Sequence, residues 1–394
     1  MKQFFSISLA LALAAAPVVR AQDDSPITRE GRYWVRTING IASNVPMQRF
    51  RLDTIGNVVL QGDNSNRAAY KLKVRVQARN SREAALLLRQ FEVKTRTQGD
   101  WVRLTVMPPK NISEAPELSM SVPRALLRMW IETRAGNVQA SDLDGELEAR
   151  SAGGQINVEG IKGRAQLRTG GGDILVGTIG GPLKCYSGGG VIRVQSAGGE
   201  SWFETAGGEI LLHQVMGAVH AATAGGNIKI EHASGTVFAR TAAGLIDVQQ
   251  AGGAVTAESS GGAIQVNAAN GVHCDSSGGA IRLRNVGGAL RASTSMGSIL
   301  AELLSGNRIL DSTLSTNSGD ITVFISSNLP LTVLARNESA GSVGRIISDF
   351  PEIRARQVSQ TGMSPVVAEG ALNGGGPVLH INVIGGTIYL RRQK

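Results

Sequence analysis

A column of aromatic and cationic side chains is the part of this sequence whose residue types most directly suggest chemistry. Lys184, Trp202, His220 and Phe238 follow one another at intervals of 18 residues, and Tyr186 lies two positions after the lysine. If residues 18 apart are neighbours in space, the four side chains form a solvent-facing ladder about 14 Å long, given three strand spacings. Exposed aromatic side chains can stack on sugar rings or anchor a protein partner. In the alternative, another part of the chain covers this face and the aromatic pairs only stabilise a sheet.

A pair of carboxylates offers a second arrangement that could do chemistry. Asp173 and Glu209 occupy equivalent positions two repeats apart, which is about 9.6 Å at two strand spacings. Carboxyl groups roughly 6.5–9.5 Å apart cleave glycosidic bonds in inverting glycosidases. Val191 lies between these two, however, and no cluster of further acids, arginines or lysines surrounds them. We therefore predict that the protein is not an enzyme and has no catalytic residues.

Metal, disulfide and cofactor sites are not indicated by the sequence. The five histidines show no metal-ligand spacing supported by cysteine or carboxylate. Cys185 and Cys274 occupy equivalent positions five repeats apart, about 24 Å at the strand spacing, which no disulfide can bridge. The glycine runs lack the βαβ unit of a dinucleotide-binding loop. We predict neither a metal nor a cofactor, and interpret both cysteines as small buried apolar residues.

A repeated Gly-Gly motif sets the elements that must position these side chains. Its second glycine falls every 18 residues from Gly136 to Gly262, and again at 279, 297 and 319. The motif continues as x-Ile-x-Val, and the other half of each repeat reads Gly-x-Val-x-Ala-x-Thr. Both halves alternate with period two, as half-buried strands do. The sequence therefore predicts a mainly β fold, a parallel β-solenoid (β-helix) with one coil per 18-residue repeat.

The alternation assigns side chains to inward and outward rows. Glycines at the corners are expected to supply positive φ and close backbone approach. One inward row consists of Ile156, Ile174, Ile192, Ile210, Ile228, Ile246, Ile264, Ile281 and Ile299. An inward row of hydroxyls consists of Ser151, Thr169, Ser187, Thr205, Thr223, Thr241, Ser259, Ser276 and Thr294.

The N-terminus has the composition of a secretory signal peptide, residues 1–21. Lys2 supplies its charge, residues 4–16 its apolar core, and we expect cleavage after Ala21. No later segment is apolar for long enough to span a membrane, so we expect an exported protein that is periplasmic, at the outer surface or extracellular. Removing Lys2 and Arg20 leaves 38 of the 40 basic residues against 31 acidic ones, a net charge of +7. This charge is dispersed, which argues against a nucleic-acid partner.

The remaining sequence divides into three parts. Residues 22–125 lack the repeat and are expected to form a small N-terminal α+β or β domain that caps the open coil end. Within it, Ser81 is predicted to be the N-cap of a helix over 82–93. Residues 126–327 hold the regular coils. Residues 328–394 are expected to form C-terminal coils interrupted by an irregular inserted loop at 343–376.

The chain resembles the bacterial putative-adhesin domain family of unknown function, which is related to autotransporter-adhesin head domains. Besides the Gly-Gly-x-Ile-x-Val copies, the segments that carry this resemblance are Gly56-Asn57-Val58, residues 117–123 (ELSMSVP), residues 133–138 (TRAGNV), Ser348-Asp349-Phe350-Pro351 and Gly374-Gly375-Gly376-Pro377. The resemblance implies a parallel β-helix in a cell-envelope or extracellular setting. It implies no site residues, because the family is defined at the level of its fold.

These observations lead to one expected function and two alternatives. We expect an exported, non-enzymatic β-solenoid of the surface or envelope, an adhesin or structural binding module. Its candidate binding surface is Lys184, Tyr186, Trp202, His220 and Phe238, and its partner is a glycan or another envelope protein. The first alternative is a carbohydrate-binding module or a degenerate polysaccharide-active β-helix that uses the aromatic ladder. The second is an envelope-assembly or signalling protein whose cap or loop docks another protein.

Overall fold

The computed structural model describes residues 25–43, 47–109, 114–306, 308–339, 345–358 and 365–393. The predicted signal peptide and its cleavage after Ala21 lie outside the described residues. Almost all of the described secondary structure consists of β-strands, with one α-helix, Ser81–Leu88. The strands form two long sheets of 18 strands each.

We name the two sheets after the side chains that distinguish them, the isoleucine sheet and the aromatic sheet. The strands of the isoleucine sheet are Thr28–Glu30, Tyr33–Ser43, Asn57–Asp63, Ala68–Val76, Glu117–Pro123, Val138–Leu143, Ile156–Ile161, Ile174–Ile179, Ile192–Ala197, Ile210–Val215, Ile228–Ala233, Ile246–Val248, Ile264–Val266, Ile281–Leu283, Ile299–Leu303, Ile321–Ser326, Arg345–Ser348 and Thr387–Gln393. The strands of the aromatic sheet are Arg49–Thr54, Glu92–Gln98, Trp101–Met107, Arg128–Thr133, Glu146–Ser151, Ala165–Thr169, Leu183–Ser187, Ser201–Thr205, Val219–Thr223, Val237–Thr241, Val255–Ser259, Ala269–Ser276, Val286–Thr294, Ser312–Ser318, Leu331–Asn337, Arg354–Gln357, Val366–Leu372 and Val378–Gly385.

In the regular part of the chain, each strand pairs in parallel with the strand one repeat later, as predicted. Ile192 is in register with Ile210, and Ile210 with Ile228. These isoleucines are completely buried, and each stacks on its equivalent in the next coil. A row of identical apolar residues thus builds a continuous core that no single coil could form. The predicted parallel β-solenoid with 18-residue coils is confirmed.

Close backbone approach explains the second glycine of the repeated motif, whereas among these glycines positive φ occurs at Gly136 and Gly319. A Cβ at Gly226 would lie 2.0 Å from the carbonyl oxygen of Gly208 in the preceding coil. The φ of Gly226 is nevertheless outside the left-handed region, so the expectation of positive φ is wrong at this corner. The first glycine of the motif, Gly225, has only one atom within 4 Å of such a Cβ, at 3.9 Å.

The strands that precede the regular repeats continue the same two sheets. Asn57–Asp63 pairs in parallel with Val138–Leu143 on one side and with Glu117–Pro123 on the other. In the aromatic sheet, Arg49–Thr54 pairs in parallel with Arg128–Thr133 and with Trp101–Met107. Further coils therefore form from sequence that lacks the 18-residue spacing.

Antiparallel strands complete this end of the molecule. Ala68–Val76 is antiparallel both to Glu117–Pro123 and to Tyr33–Ser43, and Glu92–Gln98 is antiparallel to Trp101–Met107. Glu92–Gln98 is mostly exposed and carries charged side chains at alternate positions, Glu92, Lys94 and Arg96. A charged outermost strand discourages pairing with another chain.

The helix differs from its prediction at both ends. Its N-cap is Asn80, whose side chain accepts a hydrogen bond of 2.9 Å from the amide of Glu83. The predicted cap, Ser81, is instead the first helical residue. The helix ends at Leu88 and not near residue 93, because the chain from Glu92 onward pairs as a strand with Trp101–Met107.

The predicted irregular loop at 343–376 contains three strands among its described residues, so the expectation of an irregular segment is wrong there. Val366–Leu372 is antiparallel to Leu331–Asn337 and to Arg354–Gln357, while Arg345–Ser348 is parallel to Thr387–Gln393. These pairings do not follow the 18-residue period, which is why the sequence pattern did not reveal them.

Candidate functional site

The predicted ladder residues occupy one register position of four consecutive strands in the aromatic sheet. Lys184 pairs with Trp202, Trp202 with His220, and His220 with Phe238. The residue after each of them is buried in the core, as Phe203 is after Trp202. Because successive side chains of a strand point to opposite faces, the ladder lies on the outer face of the sheet.

The rings of the ladder stack on one another. The centroids of Trp202 and His220 are 5.1 Å apart with an angle of 5° between the ring planes. The centroids of His220 and Phe238 are 5.0 Å apart at 8°, and Lys184 Nζ lies 4.4 Å from the Trp202 ring centroid. The faces of Trp202 and His220 are therefore already occupied by their neighbours. Only ring edges and the outer face of Phe238 remain for a ligand.

The ladder is open to solvent within the part of the chain that the structure describes. Phe238 is 45% exposed, Lys184 is exposed, and Trp202 and His220 are half-buried. His220 Nε2 also lies 3.1 Å from Glu200 Oε1. This contact holds the imidazole in the orientation that stacks on both of its neighbours.

A second outward column runs beside the ladder and forms a groove with it. Tyr186, Glu204, Ala222, Arg240 and Glu258 succeed one another in this column. Tyr186 thus lies beside the ladder and not in it. Because the alanine side chain is short, a groove of about 300 Å³ opens between the two columns.

Four polar residues of this groove were missed by the sequence analysis, Glu204, Arg240, Thr256 and Glu258, although the alternation pointed to the three charged ones. Arg240 and Glu258 lie two positions after ladder positions, and the nearest atoms of their side chains, Nη1 and Oε2, are 3.6 Å apart. Thr256 follows Phe238 in the ladder column itself and also lines the groove. Arginine and glutamate at a groove rim provide hydrogen-bond donors and acceptors for a polar ligand.

A charged cluster at an earlier position of the same sheet also went unnoticed. Glu148 is only 7% exposed and accepts a hydrogen bond of 2.7 Å from Arg150. The guanidinium carbons of Arg51 and Arg150 lie 4.6 Å and 5.1 Å from the ring centroid of Trp130. Because Glu148 is paired with Arg150 and both guanidinium groups lie against the Trp130 ring, the cluster is explained by packing.

Asp173, one of the two carboxylates considered for glycoside cleavage, has a structural role. Its Oδ1 accepts a hydrogen bond of 2.8 Å from the amide of Val191 in the next coil. Asn137 and Asn227 make the same contact at equivalent corners, with the amides of Gln155 and Leu245. Asparagine does this as well as aspartate does, so the corner does not require a carboxylate.

The cysteines are free and buried, and burial raises the pKa of both thiols well above its usual range. Across the described ranges, no group of three or more histidine, cysteine or acidic side chains is arranged to hold a metal ion. No helix in those ranges is both long and apolar enough to cross a membrane.

Comparison with known proteins gives likenesses among solved structures only. No protein-family model and no curated protein matches the chain. A putative adhesin from Bacteroides fragilis has 12% identity and a TM-score of 0.34, over 64% of this chain and 97% of that one. A putative cell adhesion protein from Clostridium sporogenes has 8% identity and a TM-score of 0.21, over 91% and 100%. A putative lipid binding protein from Parabacteroides distasonis has 13% identity and a TM-score of 0.29, over 74% and 97%.

Proposed function

We propose that the protein is an exported, non-enzymatic binding module of the adhesin type, which attaches to a glycan or to another envelope protein. The attachment uses the outer face of the aromatic sheet around Lys184, Tyr186, Trp202, His220 and Phe238. The observation that carries the proposal is the open, stacked ladder: aromatic rings held in fixed positions on an exposed sheet. The signal peptide predicted at residues 1–21 accounts for the exported setting.

The stacking makes this surface suited to binding. Ordering a side chain at an interface costs roughly 0.5–1.5 kcal/mol when its rotamers are free beforehand. Trp202, His220 and Phe238 are already restrained by their neighbours at centroid distances of 5.0–5.1 Å. The ladder can therefore contact a partner with little further loss of conformational entropy. Aromatic residues in such positions are enriched among those that dominate binding energy.

The absence of an enzymatic role is part of the proposal. Asp173 contributes its carboxylate to a coil corner. Glu148 is held by Arg150 and Arg128, with nearest-atom distances of 2.7 Å and 3.7 Å. Asp173 and Glu148 therefore have structural partners that account for their presence.

Adsorption of the mature chain to surfaces tests this function. Fluorescently labelled protein would be applied to a glycan array and to isolated bacterial envelopes. We expect binding that falls at least tenfold in the double variant Trp202→Ala/Phe238→Ala. Val59→Ala is the matched control, since Val59 lies on the isoleucine sheet and is also 45% exposed.

Two results would contradict the proposal. Binding that survives the double variant unchanged would exclude the ladder as the binding surface. Reproducible turnover of a polysaccharide, lost on changing Asp173 or Glu209, would show an enzyme.

A further inference from the structure

The ladder contains a gap one coil beyond Phe238. The next residue of its column is Thr256, and the one after that is His273. A threonine cannot stack on the phenyl ring, so the outer face of Phe238 has no ring beside it. Thr256 and Phe238 both line the groove described above.

The dimensions of this gap suit one additional ring. Phe238 and His273 are two coils apart, about 9.6 Å at two strand spacings. A ring halfway between them would lie about 4.8 Å from each, close to the 5.0–5.1 Å at which the rings of the ladder stack on one another. A pyranose chair is thicker than a flat aromatic ring, because axial C–H bonds project from both of its faces, and it fills such a space more completely.

The groups around the gap are polar and of mixed charge. The Thr256 hydroxyl lies at its base, and the exposed side chains of Arg240 and Glu258 flank it. On the far side, His273 Nε2 lies 2.7 Å from Asp275 Oδ2, which restrains the imidazole. A neutral ring bearing several hydroxyls can hydrogen-bond to both members of the Arg240–Glu258 pair, whereas a phenyl ring of a protein partner could hydrogen-bond to neither.

We infer that the gap above Thr256 is a subsite for one neutral hexopyranose ring of a glycan, which takes the place of the missing ring in the ladder. One face of the sugar lies on Phe238 and the other faces His273. Its hydroxyls bind Thr256, Arg240 and Glu258. This inference rests on the proposed function and specifies its ligand.

The test fills the gap with a side chain. Thr256→Trp places an indole where the sugar would lie, at a column position that already holds a tryptophan three coils away, at Trp202. Thr313→Trp is the matched control, because Thr313 is an exposed residue of the same column beyond Arg291. Phe238→Ala removes the aromatic ring on which the sugar would lie, and Phe238→Tyr retains an aromatic ring there.

The probes are the methyl β-D-pyranosides of glucose, galactose, mannose and N-acetylglucosamine, measured by saturation-transfer NMR on the mature chain. We expect at least one to give a signal that falls at least tenfold in Thr256→Trp and Phe238→Ala. The signal should persist in Thr313→Trp and Phe238→Tyr. Circular dichroism verifies that each variant folds, and Phe238→Ala decides the outcome if Thr256→Trp does not fold.

Failure of the subsite can be distinguished from failure of the proposed function. If no probe binds, or if filling the gap leaves sugar binding unchanged, the subsite is wrong. The proposed function still stands in that case if the mature chain attaches to surfaces through its ladder. Displacement of the chain from those surfaces by a tryptophan-containing peptide, and not by any pyranoside, would assign the gap to a protein partner and overturn the inference.

Discussion

The hydroxyl of Thr223 donates a hydrogen bond of 2.9 Å to the carbonyl oxygen of Gly208 in the preceding coil. The hydroxyl oxygen of Thr223 in turn accepts a hydrogen bond of 3.2 Å from the amide of Gly226. It thus joins two successive glycine corners through a single inward side chain. The same two contacts recur at Ser151, Thr169, Ser187, Thr205, Thr241, Ser276 and Thr294. The inward hydroxyl row therefore satisfies backbone groups at the corners, as buried polar atoms require.

Thr223→Val tests this contact, because valine has nearly the same shape and no hydroxyl. We expect a loss of about 1–3 kcal/mol in the free energy of unfolding, since one amide and one carbonyl lose their partner. Urea denaturation followed by circular dichroism gives the value. Thr223→Ser is the control and should lose much less, because Ser187 makes the same bonds. Equal stability of the valine and serine variants would contradict this role.

Substitution by alanine should change the stability of the protein differently at the two glycines of one corner. Gly226→Ala would place a Cβ 2.0 Å from the carbonyl oxygen of Gly208, and backbone must move to relieve that clash. We expect a loss of at least about 2 kcal/mol, as for other overpacked sites. Gly225→Ala should be nearly neutral, since Ala243 and Met296 occupy the equivalent position in other coils. Thermal unfolding of the two variants measures the difference, and similar midpoints would argue against close approach as the reason for the glycine.

Ile228→Asp tests the inward orientation of the isoleucine row. Ile228 is completely buried, so an aspartate there would be an unpaired buried charge that costs several kcal/mol. Such burial raises the pKa of the new carboxyl group, and the destabilisation should therefore grow as the pH rises above about 4, where the unfolded chain ionises. Denaturant unfolding at pH 4 and pH 7 gives both values. Lys229→Asp, on the exposed side of the same strand, is the control, and equal effects of the two changes would mean that the faces are reversed.

Native Cys185 and Cys274 should be unreactive toward thiol reagents. Both are buried, and burial raises the pKa of each thiol, which suppresses the thiolate that reacts. Titration with Ellman's reagent should detect no thiol in the native protein and two after unfolding in guanidinium. A native thiol that reacts quickly, or fewer than two thiols after unfolding, would contradict the packing at these positions.

The regular coils could be predicted because their pattern is local. An alternation of period two within an 18-residue repeat specifies which residues of each strand are inward, without reference to distant parts of the chain. Asn57–Asp63 was not recognised as a strand, because its neighbour Val138–Leu143 lies about 80 residues away and the segment between them has no fixed period. Where pairing depends on such distant partners, propensity and alternation give no register.

The candidate site could be predicted only as a set of outward residues. The spacing placed Lys184, Trp202, His220 and Phe238 in one column, and the structure has them in matching register. The spacing did not indicate that the rings would stack parallel to one another and cover each other's faces. The spacing also did not indicate a role for Thr256. That role becomes evident only in the structure, where the outer face of Phe238 has no ring beside it.

The sequence by itself therefore determined the solenoid, its period, and the division of side chains between core and surface. These follow from backbone geometry, since each strand alternates its side chains and each repeat places like residues above like. Only the tertiary structure decided which ring faces are covered, where the groove opens, and how the irregular ends complete the sheets. Those features depend on side-chain rotamers and on pairings between distant segments, which are fixed by neighbours in space that no periodic pattern specifies.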